Sequence, residues 1–354
     1  MKNLLVTLAN NYYLDQVKQV FSSAYFNAGW RGDCLLLAYH IPEDKKEWFK
    51  ERGIESENIS DTDLEWFKER GIKVKKCEPF YDKKIGFSPP VVLAKLYLFA
   101  EGFKQWDQII FLDGDILIRD SIDALTEVNG LGAVRIMSNT RSKFLGQFWN
   151  YDAGWIKKMK KKYNLKGPAL NSGVLAFSTD IIKPDTLDQF RAIMDEYGNT
   201  LGITEEAILN IHFHNNWIEL PAVYNVCPNW EMGFRRCRPN ELKGIILHNY
   251  SWFFPKPRKM WWGGNPLYKE WKASLVKADQ VDFKKPAPIK TTHRQEIIKD
   301  SELLLRLPRR HPIRFLARHI LNSFEAKRQS KNKFWKMLVA LKDVAYRISQ
   351  KLVV

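Results

Sequence analysis

Gln108-Ile109-Ile110-Phe111-Leu112-Asp113-Gly114-Asp115-Ile116-Leu117-Ile118 holds two carboxylates, one residue apart, between two apolar runs. The runs have the near-continuous apolar character of strands buried on both faces. Gly114 lets the backbone turn tightly and approach a ligand closely. Two acids at the end of such a strand point to a divalent cation. Hard cations take oxygen ligands, and Mg²⁺ or Mn²⁺ is typically held by one or two carboxylates while substrate phosphates and water complete its shell. Asp-Gly turns also join strands without any metal, so the rest of the chain has to decide between the two.

Upstream, residues 3–9 form an apolar and β-branched strand that ends in Ala9-Asn10-Asn11, followed by a helical pattern in Val17, Val20, Phe21, Ala24 and Tyr25. This is a β-loop-α opening. A second strand, Asp33–Tyr39, leads into a helix with Pro42 and acids at its start and Gly53 at its end. The octet Glu47 to Ile54 (EWFKERGI) recurs verbatim as Glu65 to Ile72. One repetition is too few for a solenoid and reads as a duplicated surface helix. Ile72–Cys77 reads as a strand, and Val91–Ala100 as a buried helix whose one charge is Lys95. That lysine either snorkels to water or pairs with a phosphate, depending on where the helix points.

Downstream, Gly132–Met137 is a short strand. Leu170-Asn171-Ser172-Gly173 then introduces the apolar strand Val174–Phe177. Asn and Ser can hydrogen-bond sugar hydroxyls, although both are also ordinary turn residues. Thr204-Glu205-Glu206 opens a helix with a hydroxyl cap and acids in its first turn, where the helix dipole favours them. Leu220–Val226 and Gly244–Tyr250 read as later strands, the second carrying His248 near its end.

The totals set outer limits. At 354 residues, 45% hydrophobic and 13% aromatic, the chain can bury a sizeable core and is not globally disordered. No run approaches the roughly 18–20 apolar residues of a membrane-spanning helix. Met1–Thr7 enters a strand at once, without the apolar segment and cleavage site of a signal peptide. Cys34, Cys77, Cys227 and Cys237 are too sparse for a disulfide framework. These features predict a cytoplasmic protein with reduced thiols. Of the net charge of +16, residues 283–354 carry +13. A nearly balanced body with a basic extension suggests an electrostatic anchor rather than a nucleic-acid-binding fold.

In their order along the chain these features resemble the family 8 retaining glycosyltransferases, the group containing glycogenin and bacterial lipopolysaccharide galactosyl- and glucosyltransferases. The resemblance covers about residues 3–262. It rests on Thr7–Tyr13, Lys95, Phe111–Asp115, Leu170–Val174, Glu205–Asn210, Leu220–Asn225, and His248 followed by Lys256-Pro257. It implies an α/β GT-A fold over residues 1–282, with a mostly parallel central sheet flanked by helices, and a UDP-sugar donor. Asp113, Asp115 and His248 would hold the metal. Imidazole in the set favours Mn²⁺, with Mg²⁺ the other option. Leu8, Asn10, Asn11 and Tyr13 would surround uracil and ribose, with Gly114 beside them. Lys95 would lie near the donor phosphates or sugar, Lys256 would assist the leaving diphosphate, and Asn171, Ser172, Glu205 and Glu206 would face the transferred sugar.

Two departures stand out. Glu205-Glu206 replaces the family's common Asp-Gln, which puts a second carboxylate beside an oxocarbenium-like centre. Glu206 is thus a candidate stabiliser or nucleophile, with a covalent glycosyl-enzyme and a front-face route both open. The family's His to Lys-Pro-Trp spacing is stretched here by Ser251–Pro255, and Trp does not follow Lys256-Pro257.

Residues 283–354 form the basic extension. Within it Phe334, Leu338, Leu341, Ala345, Ile348 and Leu352 recur at helical spacing among lysines and arginines. Such a helix suits an anionic membrane surface, or packing against the catalytic domain. Membrane attachment fits an acceptor that is a cell-surface glycan or lipid-linked saccharide, such as lipopolysaccharide, and places the enzyme on the cytoplasmic membrane face. A sugar-phosphate nucleotidyltransferase would need a Gly-rich basic phosphate loop, where Leu8–Tyr13 stands instead. A non-catalytic membrane- or polyanion-binding protein would leave Asp113, Asp115 and His248 without a purpose.

Overall fold

The computed structural model describes residues 1–59, 90–136, 143–148, 151–202, 204–227, 244–249, 259–265, 267–285 and 287. The second octet copy, the strand expected at Ile72–Cys77, Cys77, Cys237, Lys256 and the helix expected in the basic extension lie outside these residues. Strands are β1 (Asn3–Asn10), β2 (Asp33–Tyr39), β3 (Glu55–Ile59), β4 (Gln108–Leu112), β5 (Ile116–Ile118), β6 (Leu131–Arg135), β7 (Leu170–Ser178), β8 (Ile218–Glu219) and β9 (Ile246–His248). Helices are α1 (Leu14–Ser23), α2 (Glu43–Glu51), α3 (Pro90–Leu93), α4 (Ala153–Lys162), α5 (Thr186–Tyr197), α6 (Thr204–His212) and α7 (Tyr268–Val276).

Seven strands form one sheet in the order β3-β2-β1-β4-β7-β6-β8. β1 pairs in parallel with both β2 and β4, while β7 is antiparallel to β4 and β6. The chain moves outward from β1 to β3 and then returns to β4 on the other side of β1. The strand order therefore reverses between β1 and β4, and the crevice beyond the carboxyl ends of strands at such a point is where open α/β sheets bind ligands. Asn10 and Asp113 stand there.

Each sheet face has its own core. Leu4, Val6 and Leu8 point to one side, with Phe99, Phe111 and Phe177. Leu5 and Ala9 point to the other, against Val17, Val20 and Phe21 of α1. This is the two-residue alternation of a strand covered on both faces. Packing continues to Phe283, whose ring lies 6.2 Å from Phe21 and 5.2 Å from Tyr25.

Several sequence expectations change. The buried helix at Val91–Ala100 is a single α-turn, α3, that tightens into a 3₁₀ segment over Ala94–Phe99. Leu220–Val226 is not a strand. It makes a 3₁₀ turn at Ala222–Tyr224 after Pro221, which has no N–H to give a ladder. β5 does not join the large sheet but pairs antiparallel with β9. The first octet copy is no plain surface helix, since Phe49 and Ile54 are buried and Trp48 Nε1 donates to Asp279 Oδ1 at 2.7 Å. Cys34 is buried in the core beside α1.

Candidate active site

Chain topology brings Asp113, Asp115 and His248 together beside Leu170–Gly173. β4 ends at Leu112, and Asp113 N donates to Gly173 O at 2.9 Å, so the β4–β7 ladder continues past the strand end. Because β7 runs antiparallel, its first residues, Leu170–Gly173, lie at the same end as Asp113. The β5–β9 register sets Ile116 opposite His248, and Asn249 N donates to Asp115 O at 2.9 Å. A histidine 133 residues downstream is thereby fixed beside the two aspartates.

One ligand atom from each of Asp113, Asp115 and His248 lies within 4.8 Å of the others. His248 Nε2 is 3.2 Å from Asp115 Oδ1 and 3.6 Å from Asp113 Oδ2. Burial opposes a charge on this imidazole, but Asp115 foremost and then Asp113 outweigh it and raise its pKa. The ring stands directly over Gly173. A Cβ there would sit 2.1 Å from His248 Cε1 and 2.6 Å from Nδ1. Gly173→Ala is expected to push the imidazole out of place, altering its ring signals in NMR spectra, and to cost about 1–3 kcal/mol of stability from overpacking.

Lys95 is neither solvated nor snorkelling. It is 1% exposed, and its ammonium lies 3.0 Å from Asp113 Oδ1 and 4.0 Å from Glu205 Oε1. It donates to Ser172 O at 2.9 Å and to Ser172 Oγ at 3.2 Å, and it sits 4.8 Å from the centre of the Phe111 ring. Burial works against its charge, but Asp113, Glu205 and Glu206 together raise its pKa. The Glu205 carboxyl is nevertheless pushed up to about 7, by burial first, while Lys95 pulls it down and Glu206 and Asp113 push it up. A simple ion pair would lower the acid. Here one lysine serves three carboxylates, and Glu205, 4.0 Å away where Asp113 is at 3.0 Å, is held less tightly than Asp113.

Glu206 Oε2 accepts from Asn171 Nδ2 at 2.8 Å and from Ser172 N at 3.2 Å. One turn along α6, Asn210 brackets the start of β7: Leu170 N donates to its Oδ1 at 2.8 Å, and its Nδ2 donates to Leu170 O at 3.0 Å. On the other side of Asp113, Gly114 faces the end of β1. A Cβ on it would meet Val17 Cγ1 at 3.1 Å, Leu8 O at 3.4 Å and Tyr13 Cδ1 at 3.9 Å, so Leu8 and Tyr13 adjoin the carboxylate pair. Asn10 Oδ1 accepts from Tyr12 N at 3.0 Å, Asn11 Oδ1 accepts from Lys45 Nζ at 2.9 Å, and the Tyr13 ring meets Trp261 edge-on at 6.1 Å.

Asn225 was not among the predicted site residues. Its amide sits between His248 and Asn171, with Oδ1 2.9 Å from His248 Nδ1 and Nδ2 donating to Asn171 Oδ1 at 2.6 Å. The available signal was a single amide inside the apolar run Leu220–Val226, since a buried polar side chain requires a partner.

Fold and cluster together define a GT-A-type sheet with an acidic–imidazole site at the carboxyl ends of its parallel strands. Residues 4–251 match the family described as Glycosyl transferase family 8, and the chain belongs to that family. Glycosyltransferase GlyF of Streptococcus pneumoniae serotype 4 (strain ATCC BAA-334 / TIGR4) is 23% identical over 274 residues, covering 74% of this chain. The chain spans 61% of the length of GlyF. The galactosyltransferase LgtC, solved in complex with donor and acceptor sugar analogues, superposes with a TM-score of 0.54 at 16% identity, covering 84% of this chain and 99% of LgtC. The bifunctional WbbM glycosyltransferase apo structure gives 0.52 at 13% identity, covering 85% of this chain and 52% of that one. Among the described residues, no helix is long and apolar enough to cross a membrane.

Proposed function

We propose that this chain is a retaining hexosyltransferase that moves a sugar from a UDP-sugar to a hydroxyl of a cell-surface glycan or lipid-linked saccharide. In this reading a divalent cation, manganese by preference, is held by Asp113, Asp115 and His248. The observation that carries it is the convergence of these three ligand atoms within 4.8 Å, beside the buried cluster of Lys95, Glu205 and Glu206. Two carboxylates and an imidazole are a donor set that suits Mn²⁺ better than Mg²⁺. A cation bound there supplies electrophilic stabilisation of the departing diphosphate.

The chain's own residues have distinct parts in this reading. Lys95 holds positive charge beside Asp113 in a water-poor setting, where a fixed charge acts most strongly. Leu8, Asn10, Asn11 and Tyr13 form the nucleotide side, next to Gly114. Asn171 and Ser172 present the sugar side. Glu206 Oε2 already accepts two hydrogen bonds, which lowers its nucleophilicity and favours a stabilising role over a covalent one. Lys256 is proposed to assist the leaving group, and residues 283–354 to hold the enzyme on an anionic membrane surface.

Calorimetry of UDP binding with and without Mn²⁺ tests the reading, followed by a hydrolysis screen of UDP-glucose, UDP-galactose and their N-acetyl forms. UDP binding that strengthens with Mn²⁺ and hydrolysis of one donor are the expected results. UDP binding indifferent to Mn²⁺ and Mg²⁺ overturns it.

A further inference from the structure

Three hydrogen bonds run in one sense across the buried floor of the site. His248 Nδ1 meets Asn225 Oδ1 at 2.9 Å, Asn225 Nδ2 donates to Asn171 Oδ1 at 2.6 Å, and Asn171 Nδ2 donates to Glu206 Oε2 at 2.8 Å. An amide oxygen only accepts, so the Asn225 orientation makes Nδ1 the protonated ring nitrogen and directs Nε2 to Asp113 and Asp115. All four side chains are buried. Aligned bonds of this kind polarise one another in a low-dielectric interior. Imidazoles that bind metals usually give their second N–H to a carboxylate or carbonyl, which fixes the ring. Here the carboxylate is reached through two amides.

We infer that Asn225 is a positioning residue that fixes the His248 ring toward Asp113 and Asp115 and, through Asn171, couples that ring to Glu206. The inference rests on the cation reading above and extends it. Affinity for the cation depends on a carboxylate that is not one of its ligands, and by thermodynamic reciprocity the cation acts on Glu206. Asn225 thereby joins the two chemistries of the site, charge stabilisation of the leaving group and contact with the sugar.

Mn²⁺ titration of the full chain without donor, by calorimetry and electron paramagnetic resonance, tests this apart from turnover. Asn225→Leu removes both bonds and is expected to weaken Mn²⁺ binding about 10- to 100-fold. Asn225→Asp keeps an acceptor for Nδ1–H but sets a carboxylate oxygen against Asn171 Oδ1, so Mn²⁺ affinity is expected to stay within about threefold of the unaltered chain while the link to Glu206 breaks. Glu206→Gln alone is expected to weaken Mn²⁺ binding about fivefold or more, and to have no further effect in either Asn225 background. Asn225→Ala replaces the leucine variant if that chain does not fold, and melting temperatures without metal separate lost folding from lost positioning. Wild-type Mn²⁺ affinity in the leucine or alanine chain, or an equal Glu206→Gln effect in all backgrounds, overturns the inference alone. Absence of Mn²⁺ binding by the unaltered chain overturns the cation reading and this inference with it.

Discussion

Asp115→Ala is expected to lower metal-dependent sugar transfer by about 100- to 1,000-fold, the loss typical of removing one preorganised charge-stabilising contact, while the chain stays folded. Asp115 belongs to the site in two separable ways. Its backbone carbonyl accepts from Asn249 N, which ties β9 to the Asp-Gly-Asp turn, and alanine keeps that bond. Its side chain provides the oxygen 3.2 Å from His248 Nε2, and alanine removes it. Asp115 is the foremost influence raising the pKa of the imidazole against burial, so the variant ring keeps only Asp113 to offset that burial. Calorimetry should then show Mn²⁺-dependent UDP binding lost together with turnover, with cooperative unfolding retained in the absence of metal. Transfer within a few-fold of wild type would remove Asp115 from the cation site.

Much of this site is legible in eleven residues. The Gln108–Ile118 stretch announced its own burial, because apolar runs flanking two acids leave few places for the acids except the end of a strand, and β4 and β5 are buried throughout. Partnership was less legible. β5 pairs with β9, and not with the large sheet, because Asp113-Gly114-Asp115 redirects the chain, and an apolar run of three residues does not reveal which sheet it joins. Leu220–Val226 satisfied the composition of a strand yet coils into a 3₁₀ turn, since burial and extension leave the same apolar signature. Asn225 is inconspicuous in the sequence for that reason: as a strand residue its amide has no evident task, while at the exit of the turn it faces His248 and Asn171. Lys95 shows the same limit in electrostatics. A lone lysine in an apolar segment ordinarily keeps its charge in water, and only the fold reveals carboxylates 18 and 110 residues away that hold it inside.

Lys95→Met is expected to cost about 3–5 kcal/mol of stability, the range for removing one partner of a buried ion pair, and to do so with a defined pH dependence. Methionine preserves much of the stem's packing near Phe111, so the loss isolates the charge. Three carboxylates, Asp113, Glu205 and Glu206, then share the site with no ammonium among them. Glu205 responds first. Its folded-state pKa is already raised from 4.5 to about 7, and Lys95 is the largest influence holding it down, so the variant value rises further. A carboxyl with a raised folded pKa contributes stability that is fully present below the unfolded value and lost as pH climbs through the folded one. In the wild-type chain that decline spans about pH 4.5 to 7, and in Lys95→Met it extends to higher pH. Chemical denaturation should accordingly find the variant closest to wild type near pH 5 and furthest from it near pH 8. Adding Glu205→Gln removes the group that must ionise and should recover part of the alkaline loss. A deficit equal at both pH values, untouched by Glu205→Gln, would show that Lys95 stabilises the site through its bonds to Ser172 rather than by balancing Glu205.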